Sequence, residues 1–273
     1  MCEPFELARK AWKKKIYFDL IERHTLQNAA AIHAITAAEQ SHCAQLQCNN
    51  PIPIIHHGVE ILPFLSTAAI DRHLPPSVAA IPAQSPVLLF MGRLHPKKGL
   101  DLLIPAFAQV LKQNPEAYLV LAGPDAGHQD TWVKLARTLG LEERVLFPGM
   151  VTGAAKQALL QRSDLFTLPS YSEGFSVAIL EALAAAKPVV ISRFCYFDKV
   201  TEARCGLVVD TDVSALAQGL NQILNLAPLS RSAMGRQGQQ MIEQHYTWSA
   251  TAAQMRGLYQ SVLQSDRPVM VSA

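Results

Sequence analysis

Apolar and polar positions along this chain follow two rhythms. From Val87 onward, short apolar runs alternate with stretches in which apolar residues recur every three or four positions. The runs Val87 to Met91, Tyr118 to Ala122, Val145 to Phe147, Leu165 to Leu168, Val189 to Ser192 and Leu207 to Val209 are strand-length and predict strands. The periodic stretches Leu100 to Gln113, Gln129 to Leu139, Ala154 to Arg162 and Val177 to Ala186 predict helices. Strands alternating with helices imply βαβ units, hence an α/β fold with a parallel sheet and helices on both faces. Three further helices are predicted over Val213 to Leu226, Leu229 to Tyr246 and Trp248 to Leu263, followed by a frayed tail from Ser265.

The part before Val87 is patterned differently. Residues 1 to about 50 predict helix throughout, with Leu7, Trp12, Ile16, Leu20, Ile21, Leu26, Ala30 and Ile35 near helical spacing. Asn49, Asn50, Pro51 and Pro53 end that pattern, and Ile52 to Ile55 forms a short strand candidate ending at His56 and His57. Neighbours on a strand point to opposite faces, which argues against one metal held by both histidines. The proline-rich stretch from Pro63 to Pro86 is weakly periodic and predicts a connection between units.

Composition narrows the class. With 273 residues, 49% of them apolar, the chain can bury a substantial core, and a net charge of +2 gives no reason to expect nucleic acid as a partner. Five cysteines (Cys2, Cys43, Cys48, Cys195, Cys205) without C-x-x-C spacing suggest neither a disulfide framework nor a zinc site, and fit a reducing cytoplasm. No apolar run reaches the roughly 18 residues of a membrane span, and the N-terminus lacks a signal-like apolar segment. The basic run Arg9, Lys10, Lys13, Lys14 and Lys15 around Trp12 is either a solvated face or a peripheral contact with anionic lipid headgroups at the inner face of a membrane.

Chemistry concentrates where predicted strands end. Glu173 to Glu181 (EGFSVAILE) follows the Leu165 to Leu168 strand and a polar turn, and runs into a helix. In an open α/β sheet, that edge binds ligands. The backbone amides of Gly174, Phe175 and Ser176 would face a hydroxyl or phosphate oxygen at the helix start. Glu181 interrupts an apolar helical face, so its carboxylate needs donors. After the first strand, Gly92 to Gly99 (GRLHPKKG) lacks the P-loop pattern and instead offers Arg93 and Lys98, a fork and a point charge suited to a diphosphate. A solvated basic turn is the bland alternative. Gly123 to Gly127 (GPDAG) and Gly149 to Gly153 (GMVTG) are two more loops on the same edge.

On GRLHPKKG, GPDAG, the run from Pro148 to Ser192, the E-x7-E spacing of Glu173 and Glu181, and CGLVVD at Cys205 to Asp210, the chain resembles the retaining glycosyltransferases of family four. The resemblance covers roughly Pro51 to Leu263 and implies the GT-B fold of two facing Rossmann-like domains. It implies that residues 86–246 are the nucleotide-sugar donor domain, with 247–273 a C-terminal helix and tail. Gly92, Arg93 and Lys98 would hold the donor diphosphate, with Gly123 close by. Glu173 and the amides of Gly174, Phe175 and Ser176 would contact the transferred sugar and phosphate, and Glu181 would accept from the ribose hydroxyls. Glu173, Arg93 and Lys98 are thus the implied catalytic residues, acting by stabilisation and positioning. The resemblance implies no metal and no cofactor, consistent with the lack of a D-x-D motif at these loops. The expected reaction is retaining transfer from a UDP- or GDP-sugar to a glycan or lipid-linked acceptor, in glycan or exopolysaccharide synthesis.

Residues 1–85 resemble only the closing helices and linker of the acceptor domain, whose sheet needs on the order of 100 residues or more. The expectation is therefore an N-terminally truncated enzyme, of low activity alone. The alternative is a non-catalytic nucleotide-sugar-binding module that pairs with another chain. A glycoside hydrolase using the two glutamates is disfavoured, because it would leave the Arg93 and Lys98 clamp without a purpose.

Overall fold

The computed structural model describes residues 12, 16–46 and 50–264. The chain divides into two compact units, one formed by residues 1–58 and 245–273 and the other by Val59–Gln244.

In the first unit a π-helical turn, Phe18–Glu22, leads into α1 (Arg23–Asn28). The chain is then extended until α2 (Ala37–Ala44), so the continuous helix expected over residues 1 to about 50 is broken. The cause is a tertiary pairing. Ala34 forms a parallel bridge with Ile54, and Ala34 N donates to Pro53 O while Ile55 N donates to Ala34 O. Thr36 restarts the helix by accepting from Glu39 N at 3.0 Å, and the Glu39 carboxylate accepts from Ile35 N at 2.7 Å, a reciprocal cap. Helix α12 (Trp248–Gln264) belongs to the same unit. The basic residues Arg9, Lys10, Lys13, Lys14 and Lys15 lie outside the described residues.

The second unit begins with α3 (Thr67–His73) and α4 (Pro76–Ala79), two short helices inside the stretch expected to be a plain connection. Ser66 caps α3 by accepting from Ala69 N, and Pro76 occupies the first turn of α4, where its missing N–H costs nothing. Proline there marks a helix start rather than a loop.

The rest is a six-stranded sheet in the order β3-β2-β1-β4-β5-β6. The strands are β1 (Val87–Met91), β2 (Tyr118–Ala122), β3 (Val145–Gly149), β4 (Leu165–Leu168), β5 (Val189–Ser192) and β6 (Gly206–Val209), and every pairing is parallel. β1, β4 and β5 are buried throughout, which is why their sequences are continuous apolar runs. They are flanked by α5 (Leu100–Val110), α6 (Gln129–Thr138), α7 (Gly153–Arg162), α8 (Val177–Ala184), the short α9 (Lys199–Glu202), α10 (Val213–Leu224) and α11 (Pro228–His245). Phe90, Phe107 and Phe166 are among the largest fully buried side chains of this core.

The strand order has a functional consequence. From β1 the chain first builds outward through β2 and β3, then returns to place β4 on the other side of β1. The connections after β1 and β4 therefore leave in opposite directions and open a crevice at the C-terminal edge between them.

Candidate functional site

Two loops meet at that crevice. The loop after β1 runs from Gly92 through the 3-10 turn Pro96–Lys98 to Gly99, and several contacts fix it. Gly92 N donates to Ala122 O, Leu94 N donates to Pro124 O, and the buried Trp132 indole donates to Leu94 O at 3.1 Å. His95 Nδ1 accepts from Lys97 N at 3.0 Å, closing the turn that aims Lys98. The loop after β4 is Pro169 to Ser176. Tyr171 N donates to Lys97 O, Glu173 N donates to Phe194 O, and Tyr171 Oη donates to Asp101 at 2.7 Å. Burial and the Asp101 carboxylate push the Tyr171 phenol up to about 12, so it stays a donor.

These loops bring Lys98 and Glu173 together. Lys98 Nζ lies 2.5 Å from Glu173 Oε1, and both side chains are largely buried. Ser170 Oγ donates to the same carboxylate oxygen. No described residue donates to Glu173 Oε2. Arg93, from the same loop as Lys98, is exposed and makes no ion pair among the described residues. Gly174, Phe175 and Ser176 directly precede α8, whose first turn closes with Ile179 N donating to Ser176 O.

Glu181 lies further along α8 and has a different partner. Lys156, from the first half of α7, places Nζ 2.6 Å from Glu181 Oε1. The pair borders a groove of about 130 Å³ whose walls include Val59, Leu62, Phe64 and Leu160. Gln157 Nε2 donates to Pro63 O and Leu65 N donates to Gln161 Oε1, which stitches that wall to α7.

The two remaining loops serve mainly as support. Gly123 has φ 149°, and a Cβ there would lie 1.9 Å from Gly92 O, so only glycine lets the loops after β1 and β2 touch. Asp125 Oδ1 accepts from Gly127 N, His128 N and Gln129 N, each at 2.9 Å, and these bonds lower its pKa. Its carboxylate is therefore committed to starting α6. Gly149 O accepts from Gly123 N. No cluster of three or more metal-ligating side chains occurs among the described residues, and no described helix is long and apolar enough to cross a membrane.

Sequence reasoning did not single out Lys156, Ser170, Ser192 or the His95 and His128 rings, which stack edge to face at 5.4 Å beside the Arg93 loop. Ser170 carried a weak signal, standing three residues before Glu173 at the end of a buried strand. Lys156 carried none, because its ion pair with Glu181 joins two different helices and leaves no local pattern.

The model of the family glycosyl transferases group 1 matches residues 75–241. A D-inositol 3-phosphate glycosyltransferase from Kineococcus radiotolerans is 30% identical over 263 residues, covering 89% of this chain and 60% of that protein. The chain thus spans well under two thirds of the relative's length. Among solved structures, sucrose-phosphate synthase from Thermosynechococcus elongatus superposes with a TM-score of 0.79 at 25% identity, over 94% of this chain and 63% of the other. HepE of Anabaena in complex with UDP-glucose gives a TM-score of 0.74 at 26% identity, over 85% and 64%.

Proposed function

Because the chain belongs to the glycosyl transferases group 1 family, we propose that its second unit binds a nucleotide-diphosphate sugar and presents it for transfer. The observation that carries this reading is the Lys98–Glu173 pair, which spans the crevice where the strand order reverses. A lysine ammonium has three N–H donors. One is used by Glu173, leaving two for the oxygens of a diphosphate. The Arg93 guanidinium, exposed on the same loop, supplies a bidentate fork for the same group. The amides of Gly174 to Ser176 and the N-terminal end of α8 favour the charge that develops on a departing diphosphate.

In this reading Glu173 Oε2 accepts from a hydroxyl of the transferred sugar. Glu181 accepts from the ribose diol, with Lys156 fixing its orientation. This reading gives neither glutamate a nucleophile's role: Lys98 and Ser170 hold one oxygen of Glu173 in place, and Lys156 pairs with Glu181. Transfer with retention to a glycan or lipid-linked acceptor is part of the proposal. The uridine nucleotide held by the HepE structure makes UDP the first donor base to test.

Titration calorimetry with UDP and GDP tests the reading. The wild-type chain should bind one of them, and Arg93→Ala and Glu181→Ala should each weaken that affinity about tenfold or more, the usual scale for losing a charge-assisted hydrogen bond. Unchanged affinity in both variants would remove the site assignment.

A further inference from the structure

Below the Lys98–Glu173 pair lies a buried chain of small polar groups to which neither the fold nor the proposed donor contacts assign a task. Ser170 follows β4 and is fully buried, as is Ser192, the last residue of the adjacent β5. Ser192 Oγ donates to Ser170 O at 2.5 Å, and Ser170 Oγ donates to Glu173 Oε1 at 2.5 Å. Cys195 closes the far end, its Sγ 3.6 Å from Ser192 Oγ and donating to Leu168 O. Burial pushes the Cys195 thiol up to about 12, so it is a fixed neutral spacer. The series Cys195, Ser192, Ser170 and Glu173 thus connects the ends of two neighbouring strands to one carboxylate.

We propose that Ser170, held by Ser192, is a positioning residue that fixes which oxygen of Glu173 faces the donor sugar. This rests on the donor-binding reading given above. A carboxylate can rotate about its last bond and exchange its two oxygens. Two donors on Oε1, one from the rigid strand end and one from Lys98, stop that rotation and leave Oε2 as the oxygen to which no described residue donates. Lys98 alone is a poor anchor, because a flexible ammonium is drawn to an incoming diphosphate. Ser170 has a short side chain in a fully buried setting and cannot follow the ligand. Its bond to Glu173 persists when Lys98 shares its donors with phosphate, so the sugar meets an oxygen already aimed.

The proposal separates affinity for the sugar from affinity for the diphosphate. The experiment measures Kd by calorimetry for UDP, GDP and a panel of their hexose conjugates, using wild type, Ser170→Ala, Glu173→Gln and the double variant, with thermal unfolding confirming that each is folded. For the conjugate that wild type binds most tightly relative to its free nucleotide, Ser170→Ala should weaken binding about tenfold. The free nucleotide should bind within about twofold of wild type, and Ser170→Ala should add little in the Glu173→Gln background. Ser192→Ala, which frees the Ser170 carbonyl, should shift the same ratio in the same direction, and it carries the test if Ser170→Ala does not fold. Equal losses for nucleotide and conjugate, additive effects in the double variant, or no conjugate preferred over its nucleotide would each overturn the role of Ser170. Absence of any nucleotide binding by wild type would instead remove the donor-site reading itself.

Discussion

A histidine beside the proposed diphosphate clamp would make binding sensitive to pH, and His95 is placed for this. Its ring is mostly exposed, yet its pKa is lowered, first by partial burial and then by the nearby charges of His128, Arg93, Lys97 and Lys98. It is therefore neutral at pH 7. Its Nδ1 accepts from Lys97 N, so protonation would put a hydrogen on the accepting atom and open the turn that aims Lys98; the diphosphate should therefore bind the neutral ring. Nucleotide affinity should then fall as pH falls from 7.5 toward 5.5, by less than tenfold per pH unit, the limit for one proton. The ligand's own phosphate also titrates in this range, so the check is a comparison. His95→Asn should show a shallower dependence than wild type when Kd is measured across that window, and equal slopes would exclude His95 from the linkage. At this scale the sequence was only partly informative. Arg93, Lys98 and Glu173 drew notice as charged residues following apolar strands, and Glu181 as a carboxylate interrupting an apolar helical face. Ser170 and Ser192 are ordinary polar residues until burial makes their hydroxyls choose partners.

At the scale of elements, the site depends on two loops meeting over the β1–β4 seam, and Gly99 sets their distance. It has φ 74°, and a Cβ there would fall 2.1 Å from Pro169 O in the loop after β4. Gly99→Ala thus combines a left-handed backbone strain of about 1–3 kcal/mol with a clash that only movement of the Ser170–Glu173 loop relieves. The variant should have a lower urea midpoint and a weaker nucleotide Kd, and a wild-type Kd would show that the loop spacing is not critical. The elements themselves were largely legible. β1, β2, β4 and β5 have the bounds their apolar runs predict, because strands buried on both faces read as near-continuous apolar runs. Residues 29–36 were misread because the spacing of Ala30 and Ile35 suits a helix, whereas the partner that pulls Ala34 into a bridge, Ile54, is remote in sequence. Local pattern carries no record of such a partner.

For the second unit taken whole, stability carries a pH signature from Lys187. This residue follows α8, and its ammonium donates to Gln161 O at 2.8 Å at the end of α7, near the Asp164–Arg231 ion pair. Burial outweighs the attraction of Asp164 and lowers its pKa from 10.5 to about 8. The sign follows from proton counts. Between pH 8 and 10.5 the folded protein has released this proton while the unfolded chain still holds it, so the unfolded state binds more protons and stability rises with pH across that window. Below pH 8 both states are protonated and the burial penalty is present in full. Lys187→Met removes the titration while keeping an unbranched side chain only one atom shorter. It should stabilise the protein at pH 7, because a desolvated charge is replaced by an apolar group, although the Gln161 carbonyl loses its donor and limits the gain to about 1–2 kcal/mol. Urea midpoints at pH 7 and pH 9.5 check both parts. The stability difference between wild type and Lys187→Met should narrow at the higher pH, and a constant difference would mean that Lys187 does not titrate in that window.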